Sequence, residues 1–231
     1  MKKNEIRKGY YKPEIIAKFN AALKAAREND NMRVSISAAN SKMGAVASVS
    51  LLPFLTCPAC CADSCGRDCY AAKLANLRPN VRDSWARNTA ILLNDPASYW
   101  IQVRAAVAGV RFFRFHVSGD IISADYFAEM VKTAKMNPHC EILAFTKRFS
   151  VVNDYIAENG DLPANLHIMF SGWANLTPDN PYHLPETIVY NHGDEIAENW
   201  LLCGGNCFNC GCRGLGCWKA AAGDVIAFAK H

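Results

Sequence analysis

Ten of the eleven cysteines fall into two short groups, one in the first third of the chain and one near its end. The groups consist of Cys57, Cys60, Cys61, Cys65 and Cys69, and of Cys203, Cys207, Cys210, Cys212 and Cys217. Only Cys140 lies outside them. Thiols at this density can crosslink a chain, bind zinc or bind an iron–sulfur cluster.

The N-terminal stretch and the cysteine count favour metal binding over disulfide bonds. The N-terminus is basic but lacks the apolar segment and small-residue cleavage site of a secretory signal. No apolar run approaches the roughly 18 residues that span a bilayer. We therefore expect a cytosolic protein without a membrane partner, and cytosolic thiols are kept reduced. The odd number of cysteines, eleven, is a further argument against a disulfide framework.

The first group has the composition of a reactive metal site. Three thiolates from one loop leave a fourth coordination position open, and an open position is what separates a reactive centre from a closed structural one. Cys57, Cys65 and Cys69 are spaced widely enough to surround one cluster. Adjacent Cys60 and Cys61 cannot easily both join them, so at least one is expected to be spare. Zinc bound by three or four of these thiolates stays an alternative.

The second group offers a full set of four ligands in a glycine-rich segment. We expect these to be Cys203, Cys207, Cys210 and Cys217, with Cys212 as a substitute. The two-residue gap between Cys207 and Cys210 is common to zinc sites and ferredoxin-type clusters, so the spacing indicates a metal without deciding which. Backbone amides of the glycines are free to donate hydrogen bonds to sulfur, which tunes the potential of a cluster.

The rest of the sequence predicts helices and strands that would position the two cysteine groups. Residues 13–29 predict an amphipathic helix, and helices are also predicted from Tyr70 to Asn94 and after Asp95. From residue 111 on, strands alternate with helices, which is typical of parallel βα units. The motifs "HVSGD", "FTKR" and "FSGW" place polar residues at the carboxyl ends of three strands, where α/β proteins bind ligands. His116, within the first motif, is more typical of a core histidine.

Several segments together resemble one family of bacteriophage proteins. They are "SAANSKMGAVASVSLLPFLTCP", "CYAAK", "RFHVSGDIISADYF", "FTKR", "LPANLHIMFSGW" and the cysteine-rich end with "CW". In this order, over residues 34–231, they resemble the phage gene-product-88 family. The resemblance implies a protein made in the cytoplasm of an infected bacterial host.

A cysteine loop ending in Cys-Tyr-Ala before a series of βα units also resembles radical S-adenosylmethionine (SAM) enzymes. This resemblance implies an α/β fold: an incomplete, TIM-like βα barrel of about five or six mainly parallel strands. It implies a [4Fe-4S] cluster on Cys57, Cys65 and Cys69, with Tyr70 near the cofactor. The turn at Ser118, Gly119 and Asp120 would receive the amino group of SAM. The gaps of seven and three residues between these cysteines depart from the usual three and two.

These expectations divide the chain into three parts. Residues 1–33 would form a helical extension, 34–200 the partial barrel and 201–231 a metal-binding segment. In the leading hypothesis the protein is an iron–sulfur protein with one or two [4Fe-4S] clusters that binds and reductively cleaves SAM. Asp120 and Lys147 would act as catalytic polar groups. The substrate stays unknown, and the reductant would be a host flavodoxin or ferredoxin.

A non-enzymatic function is the second hypothesis. Both cysteine groups would then be closed zinc or iron–sulfur sites in an electron carrier, a sensor, or a module that binds a host protein or nucleic acid. The net charge of +4 permits a nucleic-acid partner but does not argue for one, because the basic residues form no continuous stripe.

Overall fold

The computed structural model of the chain describes residues 11–191 and 193–230. Residues 1–10 of the predicted N-terminal extension thus lie outside the described residues. The helices are α1 (Pro13–Arg27), α2 (Tyr70–Leu77), α3 (Pro79–Asn94), α4 (Pro96–Ala108), α5 (Ala124–Met136), α6 (Phe149–Asn159) and α7 (Cys207–Arg213). The strands are β1 (Ala47–Val49), β2 (Phe112–Phe115), β3 (Glu141–Thr146), β4 (Leu166–Ser171), β5 (Glu186–Tyr190), β6 (Leu201–Leu202) and β7 (Val225–Ala229).

All seven strands form one parallel sheet in the order β1-β2-β3-β4-β5-β7-β6. The predicted alternation of helices with parallel strands is confirmed. The expected number of five or six strands is wrong, because β6 has two residues and β7 has five, and both lie beyond residue 200 among the cysteines and glycines. The sheet is open at β1 and β6. Strands β1 to β5 follow one another in chain order, as consecutive strands usually do.

Local sequence signals explain where two central helices begin. Asp95 accepts a hydrogen bond from the Ser98 backbone amide at 3.0 Å, and Pro96 occupies the first position of α4. The Ser123 hydroxyl accepts one from the Tyr126 amide at 3.2 Å at the start of α5. Asp95 and Ser123 therefore cap the helices that follow the ends of α3 and β2.

Alternate residues of the strands enter two different apolar clusters, as the two-residue period of a strand dictates. On one face, strand residues such as Phe113, Ile142 and Ile168 pack with the buried sides of α3, α4, α5 and α6. On the other face, Phe112 and Leu143 pack with Trp218 and with cysteines of the second group. Helices therefore cover one face, and the cysteine-rich C-terminal segment covers the other.

Helix α1 packs against the segments that flank the first cysteine group. Its buried residues Ile15 and Phe19 pack with Leu52, which precedes the loop, and with Ala72 on α2, which follows it. Among the described residues, no helix is both long enough and apolar enough to cross a membrane.

Candidate metal centres

The first cysteine group and Cys203 both follow the carboxyl end of a strand. The first group occupies residues 57–69, after β1 and a short connecting segment, while Cys203 comes immediately after β6. Because all pairings are parallel, the first group and Cys203 share the carboxyl edge with the residues that follow β2, β3 and β4, whereas the other cysteines of the second group continue across one face of the sheet. This edge is where parallel α/β sheets place their ligands.

In the first group, Cys61 lies between two of the expected ligands. Its thiol hydrogen-bonds with Cys57 and Cys65, and these contacts raise the pKa of Cys61. The same bond from Cys61, helped by the positive charge of Lys147, lowers the pKa of Cys65 to about 6 although burial opposes it. Cys61 is buried, with 5% of its surface exposed. The sequence analysis did not select it, yet Cys57, Cys61, Cys65 and Cys69 recur at every fourth residue.

Backbone amides donate hydrogen bonds to three cysteine sulfurs in the two groups. The Phe54 amide donates to Cys57 at 3.4 Å, the Ala72 amide to Cys69 at 3.4 Å, and the Gly205 amide to Cys203 at 3.5 Å. Cys69 caps α2, and burial raises its pKa to about 12. Amide donors of this kind stabilise thiolates, the form in which cysteine ligates metals.

Long-range contacts hold the first cysteine loop against the carboxyl edge. The Asn175 side-chain amide, from the segment after β4, donates to the Asp63 carbonyl at 2.9 Å. Lys230, just beyond β7, forms an ion pair with Asp68 at 2.8 Å. The loop is therefore tied to both the middle and the end of the chain, which fixes the place of its thiols.

The second group brings together the four cysteines that the sequence predicted as a set. Cys203, Cys207, Cys210 and Cys217 share the apolar cluster on the second face of the sheet. Burial, followed by the negative charges of the other three, raises the pKa of Cys217 to about 12. Cys212 is exposed and lies outside that cluster. All eleven cysteines of the chain are free thiols.

Arg114 is the cation of β2 that faces the second group. Its guanidinium hydrogen-bonds with Cys207, opposing the effect of burial, which raises the pKa of that thiol. The guanidinium also lies 4.4 Å from the centre of the Phe145 ring, and one of its nitrogens is 3.5 Å from the Met43 sulfur. A fixed positive charge beside these sulfurs would offset the negative charge of several thiolates.

Asp120 joins the ends of β2 and β3. Its Oδ1 accepts hydrogen bonds from the Ile121 amide at 2.7 Å and the Thr146 hydroxyl at 2.6 Å, and its Oδ2 accepts one from the Lys147 amide at 2.9 Å. Burial raises the pKa of Asp120 against these bonds. A carboxylate has about four acceptor positions, so Oδ2 retains one for a ligand. The predicted catalytic residue thus also has a clear structural role.

Lys147 and Ser118 complete the polar part of this edge. The Lys147 ammonium donates to the Ser171 hydroxyl at 2.7 Å and lies 5.9 Å from the centre of the Trp173 ring. Its charge acts on the thiols of Cys60 and Cys65. The Ser118 hydroxyl is buried and has no hydrogen-bond partner among the described residues. An unpaired buried hydroxyl is costly, and a ligand bound beside the cysteine loop would satisfy it.

Tyr70 connects the two groups in space. It directly follows Cys69, and its hydroxyl donates to the Val117 carbonyl. Burial of the hydroxyl raises its pKa, although half of the whole residue, 51%, is exposed. Tyr70 therefore ties the end of the cysteine loop to the end of β2, and its place near a cofactor stays a prediction.

His116 faces away from the cysteines, into the helix-covered core. Its Nε2 lies 2.9 Å from the Tyr126 hydroxyl, and 4% of the residue is exposed. Burial, with the charge of Arg114, lowers the pKa of His116 to about 3. The interpretation of His116 as a core histidine agrees with this position.

The low pKa of His116 makes stability depend on pH. Below about pH 6.5 this histidine becomes protonated in the unfolded chain but stays neutral in the folded chain. The free energy of unfolding therefore falls as the pH falls towards 3. His116→Asn removes this pH-dependent contribution to stability, and asparagine tolerates the positive φ of 59° at this residue. Between pH 7 and pH 4.5, the wild type should therefore lose about 2–3 kcal/mol of unfolding free energy relative to the variant. Urea unfolding measures it, with His139→Asn as the surface control; a stability difference independent of pH would contradict the prediction.

The opposite edge of the sheet contains a cavity of about 340 Å³. Its lining includes Tyr182, His167 and Cys217. The His167 ring pairs with the Glu141 carboxylate at 2.6 Å. The cavity is thus separate from the polar residues of the carboxyl edge and reaches the second cysteine group only through Cys217.

Neither cysteine group is arranged around one point. Within residues 11–191 and 193–230, no three or more His, Cys, Asp or Glu side chains are disposed to hold a single metal ion. An iron–sulfur cluster has a different requirement, because its thiolates bind several iron atoms and need not converge on one point.

Comparisons with known proteins place the chain in a family. The sequence model of the family described as Gene product 88 matches residues 15–203. That range contains the first cysteine group and Cys203, and it ends before Cys207. No curated protein and no solved structure was found to match. The match covers most of the chain, and the protein is therefore a member of the Gene product 88 family of bacteriophage proteins.

Proposed function

We propose that this protein is an iron–sulfur protein with an architecture similar to that of radical SAM enzymes. The loop after β1 would hold a [4Fe-4S] cluster through Cys57, Cys65 and Cys69. Cys203, Cys207, Cys210 and Cys217 would hold a second cluster. The single observation that supports the proposal is the placement of both thiol sets against one parallel sheet, the first beyond its carboxyl edge and the second across the face that the helices leave uncovered. Strands β1 to β5 lie side by side in chain order and helices cover one face of the sheet, as in a βα barrel, and this supports the proposed similarity to a partial barrel.

The donor set fits iron and sulfide. The cysteines are free thiols, three of their sulfurs accept amide hydrogen bonds, and Arg114 supplies positive charge beside the second set. When bound, a cluster with an open iron supplies one electron to a ligand of that iron. The residues of the chain would bind and orient this ligand: Ser118 through its unpaired hydroxyl, Asp120 through its remaining acceptor position, and Lys147 through its charge. SAM is the ligand that we propose there.

A closed N-terminal cluster is the second candidate, and Cys61 is the observation that favours it. Its thiol contacts both Cys57 and Cys65, so four thiols are available for one cluster. A cluster with four thiolates has no open iron, and the protein would then be an electron carrier or a sensor. Cys61→Ala separates the two candidates. Full cluster content and SAM cleavage in this variant support the enzyme, whereas loss of the cluster supports the carrier.

Iron and acid-labile sulfide, measured per chain in oxygen-free preparations, test the proposed function. We expect the wild type to contain both, and Cys69→Ala and Cys217→Ala each to lose roughly half, since each removes one ligand set. Cys140→Ala is the matched control, because Cys140 is buried but lies outside both groups. Circular dichroism checks that the variants fold. A folded wild type that is free of iron, or that binds zinc alone under these conditions, would contradict the proposal.

A further inference from the structure

Tyr70 gives the two cysteine groups a direct structural connection. On one side it is bonded in the chain to Cys69. On the other, its hydroxyl donates to the carbonyl of Val117. The side chain of Val117 packs in the same apolar cluster as Cys203, Cys207, Cys210 and Cys217. One tyrosine and one strand end therefore separate two groups that are more than a hundred residues apart in the sequence.

Arg114 adds a second connection from the same strand. It contacts Cys207 directly, and its charge acts on both Cys217 and the Tyr70 hydroxyl. Its position is fixed by the Phe145 ring and the Met43 sulfur. Its Nε is buried without a hydrogen-bond partner in the described part of the chain. The charge of the guanidinium thus acts on both the second group and the hydroxyl of Tyr70.

The end of the chain forms a third connection. Lys230 follows β7, which also positions Cys203 through a backbone hydrogen bond from the Cys203 amide to the Ala227 carbonyl at 3.0 Å. The ammonium of Lys230 pairs with Asp68, the neighbour of Cys69. One short segment of chain therefore contacts both groups.

We propose that the two centres form one redox unit, with Tyr70 and Arg114 lying between them. The inference rests on the proposed iron–sulfur function. Cys203, Cys207, Cys210 and Cys217 would hold the C-terminal centre and Cys57, Cys65 and Cys69 the N-terminal centre. When bound, each centre would exchange one electron at a time with its neighbour, and a low-potential one-electron donor protein would be oxidised by one electron for each electron that the pair gains. No covalent bond would change.

Arg114 is a positioning residue in this unit. Its positive charge stabilises the more negative, reduced form of the C-terminal centre, which raises the reduction potential of that centre. Tyr70 keeps α2, and with it Cys69, against the end of β2. Neither residue is required to ligate iron.

Electron paramagnetic resonance of the dithionite-reduced, full-length protein tests the proximity. Cys69→Ala and Cys217→Ala provide the spectra of the separate centres. If the centres are neighbours, their unpaired electrons interact, and the wild-type spectrum will be broader than the sum of the two single-centre spectra. A wild-type spectrum equal to that sum would overturn the inference while leaving the iron–sulfur function intact. Absence of any cluster signal would instead overturn the proposed function itself.

Redox titration of Arg114→Met tests the role of the guanidinium. We expect the C-terminal centre to become harder to reduce, with the potential shifting to more negative values, and the N-terminal centre to change less. Arg114→Lys, which keeps the charge, should restore most of the shift and also guards against misfolding of the methionine variant. Arg111→Met is the matched control, since Arg111 lies on the ring of Phe112 and is exposed. Equal potentials in Arg114→Met and Arg111→Met would overturn the role of Arg114.

Discussion

Gly119→Ala is expected to destabilise the protein by about 2–5 kcal/mol and to abolish iron binding at the proposed N-terminal centre. Gly119 has a φ of +83°, which side chains rarely adopt. A Cβ atom there would lie 2.6 Å from the Thr56 hydroxyl oxygen and 2.8 Å from the Leu51 Cβ. Thr56 immediately precedes Cys57, so the added methyl group would push the start of the cysteine loop away from β2. Chemical denaturation and iron analysis measure the two effects.

Gly160→Ala provides a closely matched control. Its φ is +78°, but a Cβ atom there would have no other atom within 4 Å. This variant therefore carries the backbone strain alone, about 1–3 kcal/mol because ψ is −158° there, and should keep its full iron content. If the two variants lost the same stability and both kept their iron, the turn at Gly119 would not be what holds the cysteine loop.

Asn88→Ala is expected to cost about 3–5 kcal/mol of unfolding free energy, as several buried backbone groups would lose their partners. The Asn88 side chain is fully buried on α3. It accepts a hydrogen bond from the Ser35 amide at 2.7 Å and donates to the carbonyls of Ser35 and Ser50 at 2.9 and 3.0 Å. These bonds hold the segment before β1 and the residue just after it, from which the cysteine loop departs.

Thermal or urea unfolding of Asn88→Ala can be compared with Asn159→Ala. Asn159 lies at the exposed end of α6 and donates to the Tyr155 carbonyl at 3.0 Å. Surface substitutions of this kind usually change stability by less than about 0.5 kcal/mol. A similar small loss in both variants would show that the Asn88 bonds are replaced by water.

The sequence predicted the parts of the fold that depend on local signals. Apolar periodicity, as in residues 13–29, and the alternation of strands with helices after residue 111 were sufficient to place most helices and the central strands. Strands β6 and β7 were missed because their pairing is entirely non-local: they are short, and their positions depend on β5. Helices α3 to α6 all pack on the same face of the sheet, and this choice of face also depends on tertiary packing rather than on a local sequence pattern.

For the candidate centres, the predicted residues can be located in the fold, but their role as metal ligands stays a prediction. The four cysteines of the second group share one apolar cluster, and Ser118, Asp120 and Lys147 lie at the carboxyl ends of β2 and β3. The sequence analysis did not predict the contacts of Cys61 with Cys57 and Cys65, although the four-residue spacing of Cys57, Cys61, Cys65 and Cys69 could have indicated them. Arg114 could not be found, since an arginine in an apolar strand has no local pattern that identifies its partner.

The position of β7 has a consequence for biosynthesis. This strand follows β6 in the sequence, yet it pairs between β5 and β6, and it holds the Cys203 backbone in place. Because translation proceeds from the N-terminus, β6 cannot join the sheet until β7 has also been synthesised. Until then the Cys203 amide lacks its acceptor on Ala227, so this thiol reaches its folded position later than the thiols of the first group.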